Sequence, residues 1–447
     1  MNKINLEIQK EFHNKIPELI NELNERLIER DELSRLVVLA MCSHNHMFLI
    51  GERGVAKSMT VELVNGAVSG ATFWQLQVNN DTKIEELFGA KKATETGEIQ
   101  YISQNSMLYA TFVVLDEMFK AKGELLNALL EILVDGCYTS GDGKKRRTQL
   151  ISVFATSNEY PTEERMLPYV DRFLFWYEVE RISTVENRRR FYAGLYNKEK
   201  ITKQYFSTED LFLIKEESSK VEINQNIIEF YEEITTEFVK QAVKTSDRKY
   251  ERTLTTAMKT CAYLNNREAI DISDIFILLH TSWHDAFEKE KVQRVVFEKI
   301  FGSERDIEKE LVESNVSIEE IDTYKNANLY DFLYYKTELT GKDRVELYDR
   351  VLSNFDSVFR AYEMTKTRLK QLLEKYAFNL EVERMLERNM FLPNYKQNAF
   401  TRELVDDIEL LIFNIETKQK AIKEWYKASD SIYKYQAIMQ KRKAKNE

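Results

Sequence analysis

The segment His46–Leu63, HMFLIGERGVAKSMTVEL, constrains this chain more than any other. A short apolar run feeds a glycine-bearing turn that opens into a helix, and such a unit needs a sheet to carry its strand. Gly51 and Gly54 let backbone N–H groups turn inward around phosphate oxygens, with Glu52, Arg53, Val55 and Ala56 completing the loop. The helix N-terminus adds a favourable dipole, Lys57 can reach the β- and γ-phosphates, and Ser58 can ligate magnesium. The usual pattern has Gly immediately before the Lys; here Ala56 stands there, the least obstructive substitute. ATP with Mg2+ is the expected cofactor.

A second element strengthens this reading. Thr111–Glu117, TFVVLDE, is an apolar run ending in paired acids, the pattern of a Walker B strand. On a central strand the two carboxylates project toward the nucleotide, where Asp116 would hold Mg2+ with Ser58 and Glu117 would activate the attacking water. A third run, Ile151–Thr156, ends at Ser157-Asn158, and Asn158 at this sensor 1 position can orient that water. Arg172, in LPYVDRFLFWYEV, falls between a helical segment and a strand; a planar cation there can reach a neighbouring subunit's site. Arg165 is the alternative for this finger.

Strands are expected at 47–50, 73–78, 111–115, 151–156 and 173–179, alternating with helical segments, which describes a parallel sheet buried on both faces. Two helices precede the first strand, within residues 16–41. After residue 184 the strand signal stops, and 224–243, 248–264 and 273–287 read as helices, the last capped by Asp271 or Ser273. With three of the 4 Pro before residue 170, the rest of the chain can run in long helices. Beyond about residue 300, Val345, Tyr348, Leu352, Phe355, Phe359 and Tyr362, then Leu404, Ile408, Leu411 and Ile415 continued by Ile422 and Trp425, keep spacings of three and four. Pro393 and Asn394 punctuate them, so a hairpin is expected, either a coiled-coil arm or part of a small bundle. The fold class is therefore an α/β P-loop core with helical domains behind it, divided at 1–184, 185–290 and 291–447.

Cys42, Cys137 and Cys261 lie far apart without paired spacing, which indicates neither a disulfide framework nor a zinc ribbon and fits a reducing cytoplasm. No run approaches the roughly 18 apolar residues of a membrane span, and no apolar signal core follows the N-terminus. The net charge of -10 weighs against nucleic acid as a partner.

In these residues the chain resembles the MoxR branch of AAA+ ATPases, and in particular its RavA-like subgroup, over roughly residues 20–290. The carriers of the resemblance are GVAKS, DEMFKAKGELLNALLEIL, FATSNEYP, YVDRF and the segment SDRKYERTLTTAMKTCAYLNNREAIDISDIFILLHTSWHD. That last segment is similar to the family's all-α lid, and the similarity matches Arg248 to the sensor 2 arginine that contacts the γ-phosphate. The resemblance implies ATP hydrolysis in a homo-oligomeric ring, a hexamer, that remodels or activates a protein client in the manner of a chaperone. It also implies a partner carrying a von Willebrand factor A domain. It further implies two insertions, 89–107 and 136–150, read as hairpins with turn centres at Thr96-Gly97 and Gly141–Gly143, facing the pore side unless they are plain surface loops. The alternatives are a nucleic-acid-associated or defence-system motor, and a ring in which nucleotide controls assembly alone.

Several features are set aside. Ser43–His46 spells out HNH but is the turn before the P-loop strand. His280 and His284 share a helical face four residues apart, yet further metal ligands are missing and lid packing around Trp283 explains them better. Arg188, Arg189 and Arg190 read as a solvated helix face that could approach a neighbour's nucleotide.

Overall fold

The computed structural model describes residues 4–93, 99–102, 106–139, 145–161, 166–302, 309, 312–314, 316–326, 342–393, 405–424 and 427. The strands are β1 Met47–Ile50, β2 Val68–Ser69, β3 Phe73–Gln77, β4 Ala90–Ala93, β5 Ile99–Ile102, β6 Phe112–Asp116, β7 Cys137–Thr139, β8 Lys145–Arg147, β9 Ser152–Ser157, β10 Phe175–Glu178 and β11 Phe206–Ser207. Five of them form one parallel sheet in the order β10-β1-β9-β6-β3. These are the five strands expected from the apolar runs, with ends shifted by a residue or two. The central strands β1 and β9 are buried along their whole length, whereas the edge strand β3 is half-exposed, as burial on both faces at the centre of a sheet requires. β2 and β11 add a separate parallel pair that no sequence signal marked.

Both expected insertions carry antiparallel pairs, β4 with β5 and β7 with β8. The proposed turn centres at Thr96-Gly97 and Gly141–Gly143 lie outside the described residues.

Helix α1 (Leu6–Arg26) begins ten residues before the expected region, with the Asn5 side chain accepting from the amides of Glu7 and Ile8. Helix α2 (Asp31–Cys42) is buried from Leu33 to Cys42 except at Arg35, which fits its place behind the sheet. Helix α3 (Lys57–Gly66) follows β1 directly. The all-α region then runs through helices Thr208–Ser218, Gln225–Lys240, Asp247–Arg252 and Lys259–Leu264, the last two joined by a π-helical turn, Thr253–Met258. The single helix expected at 273–287 is instead a 3-10 turn, Ile272–Ile277, a short helix, Leu278–Thr281, a break, and a new helix, Ala286–Phe301. The break comes where the Ser282 carbonyl accepts from Thr245 Oγ1 and where Glu288 caps His284 N at 3.0 Å. Asp271, not Ser273, is the cap: its carboxylate accepts from Ser273 N at 2.8 Å.

The chain divides into two compact units, residues 1–299 with 384–396, and residues 300–383 with 397–447. The C-terminal region expected from residue 291 therefore returns a segment to the first unit. There Asn389, Phe391 and Leu392 are buried, and Asn389 donates to Ser273 Oγ at 3.0 Å while accepting from Asn265 Nδ2 at 3.2 Å. In the second unit the long helix Lys342–Arg388 and the helix through 405–424 pack Val358, Tyr362, Leu369, Leu372 and Tyr376 against Ile408, Ile412, Ile415 and Ile422. Ile318, from a third helical segment, joins this core, which makes it a small bundle and not a two-helix arm. Asp322 joins the segments by accepting from Tyr362, Lys418 and Lys325. Leu404 and Trp425, assigned to this face, lie outside the described residues, as do the side chains of Val345, Tyr348, Leu352 and Phe355. Among the described residues no helix is long and apolar enough to cross a membrane.

Candidate functional site

The C-terminal ends of the parallel strands gather the motif residues at one rim. β1 delivers the loop Gly51–Ala56, β6 delivers Asp116 and Glu117, and β9, lying between them, delivers Thr156, Ser157 and Asn158. Gly51 has φ near 151° and donates its amide to Ser157 O; a Cβ there would stand 2.3 Å from the carbonyl oxygen of Val179, so no other residue fits. Gly54 turns at φ 81° and Ala56 at φ 69°. The second value explains why glycine is usual before the lysine: an alanine held there costs about 1 kcal/mol in backbone strain.

Asp116 is the hub of the site. Ser58 Oγ donates to its Oδ1 at 2.7 Å, Thr156 Oγ1 donates to the same atom at 2.9 Å, and Gln75 donates to Oδ2. A carboxylate and a hydroxyl brought together beside a phosphate-binding turn are the donor set a Mg–nucleotide complex needs. Lys57 Nζ folds back onto the carbonyls of Gly51 and Glu52, at 2.5 and 2.8 Å. Burial holds its ammonium below the ordinary lysine value, against the opposing pull of Glu117 and Asp116. Glu117 is 8% exposed at a left-handed φ of 59°, flanked by Arg53 at 3.6 Å and Lys120 at 3.4 Å. Asn158 is exposed one residue past β9, between the ends of β1 and β6.

The cleft beside the loop has a volume of about 360 Å³, within the range of a nucleotide-sized ligand. Its walls include Arg30, Arg188, Phe191 and Tyr192, so Arg188 faces this chain's own loop. Glu52 is engaged by Arg181, with Nε at 2.7 Å. Arg30 was missed by the sequence reading. It is 6% exposed and donates to three backbone carbonyls: Val55 in the loop at 3.0 Å, Glu29 at 2.6 Å and Glu180 at 2.7 Å. The only sequence hint was an arginine directly before an apolar helix, too common a pattern to single out.

Arg172 and Arg248 lie elsewhere. Arg172 sits three residues before β10, at the opposite rim of the sheet from the loop, since β10 runs parallel to β1. A four-residue strand alone separates the rims by about 13 Å. Ser246, which caps the helix carrying Arg248, donates to Asp171 Oδ1 at 2.8 Å, and Asp171 Oδ2 accepts from Arg172 at 3.2 Å. Arg172 and Arg248 thus line one cleft with Arg252, and that cleft shares no residue with the loop's. Below them Lys249 is buried against His284 Nε2 at 3.0 Å, and burial brings its ammonium down to about 7. Arg165 lies outside the described residues. His284 faces Lys249 and Glu288, while His280 faces Glu32 at 3.6 Å, so the two histidines do not converge. Among the described residues no cluster of three or more His, Cys, Asp or Glu is arranged for a metal ion.

Residues 14–216 match a family model described as the MoxR domain in the MoxR-vWA-beta-propeller ternary systems, and residues 222–296 match an AAA lid domain. An uncharacterized protein of Methanocaldococcus jannaschii is 31% identical over 291 residues, covering 64% of this chain and 75% of that protein. The chaperone MoxR1 of Mycobacterium tuberculosis is 26% identical over 218 residues, covering 47% of this chain and 56% of its own length. Among solved structures, an ATPase candidate from Cytophaga hutchinsonii aligns with a TM-score of 0.53 at 20% identity, covering 66% of this chain and 96% of that one.

Proposed function

This chain belongs to the MoxR family of AAA+ ATPases, and from that premise we propose that it binds Mg–ATP at Gly51–Ser58 and hydrolyses it in a homo-oligomeric ring, a hexamer, that remodels a protein client. The observation that carries the reading is the joining of Ser58 and Asp116 at 2.7 Å, which brings the phosphate-binding turn and the acidic strand into one site. Magnesium, when bound, would neutralise charge on the β- and γ-phosphates; Ser58 and Asp116 are the residues to hold it. Lys57 would leave the loop carbonyls for the phosphates. Glu117 takes the proton of the attacking water, which Asn158 orients from the adjacent strand end. Arg172 and Arg248, facing away from their own loop, act together on the nucleotide of the next subunit, so that each complete site needs two chains.

The matched family model describes systems that also contain vWA and β-propeller proteins, which supports a von Willebrand factor A protein as partner. The RavA-like assignment rests on the lid segment 246–285. A cytoplasmic location rests on the separated cysteines, of which Cys42 and Cys261 are buried as free thiols.

The test compares nucleotide binding and phosphate release in three forms of the full chain. Lys57→Ala should lose ATP binding, whereas Glu117→Gln should bind ATP normally and turn over at least about 100-fold more slowly. Equal loss of binding in both forms would sink the roles assigned.

A further inference from the structure

The rim of the sheet opposite the P-loop holds a second cavity, of about 460 Å³. Its floor is apolar, from the buried side chains of Ile132, Leu133 and Ile151. Three cations reach it from three separate elements: Arg147 from β8, Lys215 from the helix Thr208–Ser218, and Arg252 from the end of the helix Asp247–Arg252. Among the described residues the one carboxylate in its lining is Asp135, which is held by Lys145 at 2.6 Å. Among the described residues none of the three cations forms an ion pair with a carboxylate.

The arrangement is built, not loose. Arg252 donates to Asn45 Oδ1 at 2.8 Å, and Asn45 Nδ2 donates in turn to Thr256 Oγ1 at 2.9 Å. Arg252 leads directly into the π-helical turn Thr253–Met258, a distortion found frequently at functional positions. The two histidines in the wall are committed to the backbone, His44 Nε2 to Leu211 O and His46 Nε2 to Leu133 O. Burial first, then nearby cations, keeps both well below the ordinary histidine value, at about 4 and about 3, so neither adds charge at neutral pH. Lys215 is likewise held below its ordinary value, by burial and then by Arg252 and Arg147. Like charges gathered around one concave space repel each other, and a bound polyanion relieves that repulsion.

We propose that this cavity is a second ligand site, separate from the P-loop, for a phosphate-bearing small molecule whose phosphates meet Arg147, Lys215 and Arg252 over the apolar floor. Its volume falls in the usual range for small-molecule sites. Phe212, 56% exposed at the mouth and edge-on to His44 at 5.0 Å, offers a ring face to any planar portion of the ligand.

The test uses the full chain carrying Lys57→Ala, so that the P-loop is silenced, titrated calorimetrically with inorganic pyrophosphate at fixed ionic strength. The expected result is one pyrophosphate bound per chain, weakened at least about tenfold by adding Lys215→Gln and Arg147→Gln. Lys215→Arg, which keeps the charge, should retain binding. In the absence of ligand Lys215→Gln should not lower Tm, because it removes a repulsion; a lysine with a purely structural role would give the opposite sign. A parallel titration with ADP identifies the source of the phosphate: tighter binding than pyrophosphate assigns a nucleotide, and equal or weaker binding assigns a free phosphate compound. The proposal is overturned if the Lys57→Ala chain binds neither probe, or if its affinity is indifferent to the loss of Lys215 and Arg147 charge.

Discussion

Arg30 satisfies three backbone carbonyls with one guanidinium, and through Val55 it holds the phosphate-binding loop from behind. Its hydrogen bonds all go to backbone carbonyls, and among the described residues it forms no ion pair, so its removal acts on the loop's shape. Arg30→Met should therefore raise the KM for ATP about tenfold while kcat moves less than about twofold, because a loop held in place favours ground and transition states alike. Arg30→Lys should recover part of the loss. A kcat that falls as steeply as KM rises would instead place Arg30 in the chemistry. The contrast with Lys57, Ser58, Asp116 and Glu117 shows what a sequence makes legible at this scale. Those four belong to motifs whose residue types are dictated within a few positions of each other. The carbonyls that give Arg30 its role are 25 and 150 residues away, at Val55 and Glu180, and no local pattern records them.

The helix Val185–Tyr192 depends on a carboxylate from another part of the chain. Glu29, in the turn between α1 and α2 at φ 56°, accepts from the amides of Ser183 and Thr184, from both their hydroxyls and from Asn187 Nδ2. It thus holds in place the N-cap Thr184, and adds a negative charge at the N-terminus, of the helix that carries Arg188 into the cleft beside the loop. Burial pushes the Glu29 carboxyl up, but these hydrogen bonds outweigh it and bring it down to about 2 from 4.5. A folded-state value below the unfolded one contributes stability that is fully present above 4.5 and is lost as pH falls toward 2. Glu29→Gln should cost about 1 kcal/mol at pH 7, the typical worth of a cap, and the Tm difference from the native chain should shrink between pH 4.5 and pH 2. A Tm difference of the same size at pH 7 and pH 2.5 would rule the linkage out. Among the elements, the five sheet strands were readable because each is a short apolar run bounded by turns. The break at Ser282 was not, because apolar periodicity continues across it through Trp283, whose indole donates to Leu279 O at 2.6 Å. The hydrogen bond that fixes the break comes from Thr245, in a different helix-to-helix connection.

In the whole molecule the two arginines expected at the phosphates are separated from their own loop by the depth of the sheet. Arg172→Ala should therefore bind ATP but hydrolyse it about 1,000-fold more slowly, as loss of a finger does elsewhere. Mixed with Lys57→Ala subunits it should regain activity, since some interfaces then pair an intact loop with an intact arginine. If the two variants co-assemble by mass measurement and the mixture stays as inactive as its parts at every ratio, the shared site is refuted. The sequence spoke to this scale only through the position of Arg172 ahead of a strand; that Ser246 and Asp171 would bring Arg248 to the same cleft depends on a contact spanning 75 residues. The return of residues 384–396 to the first unit sets a schedule on synthesis. Asn389 supplies partners to Ser273 and Asn265 inside the lid, so a nascent chain that has emerged only to residue 299 holds a lid with open hydrogen-bonding positions. Residues 300–383 must emerge before residues 384–396 can complete the first unit. A chain that stops before residue 389 leaves Ser273 and Asn265 without these bonds, even though every residue of the candidate nucleotide site precedes it.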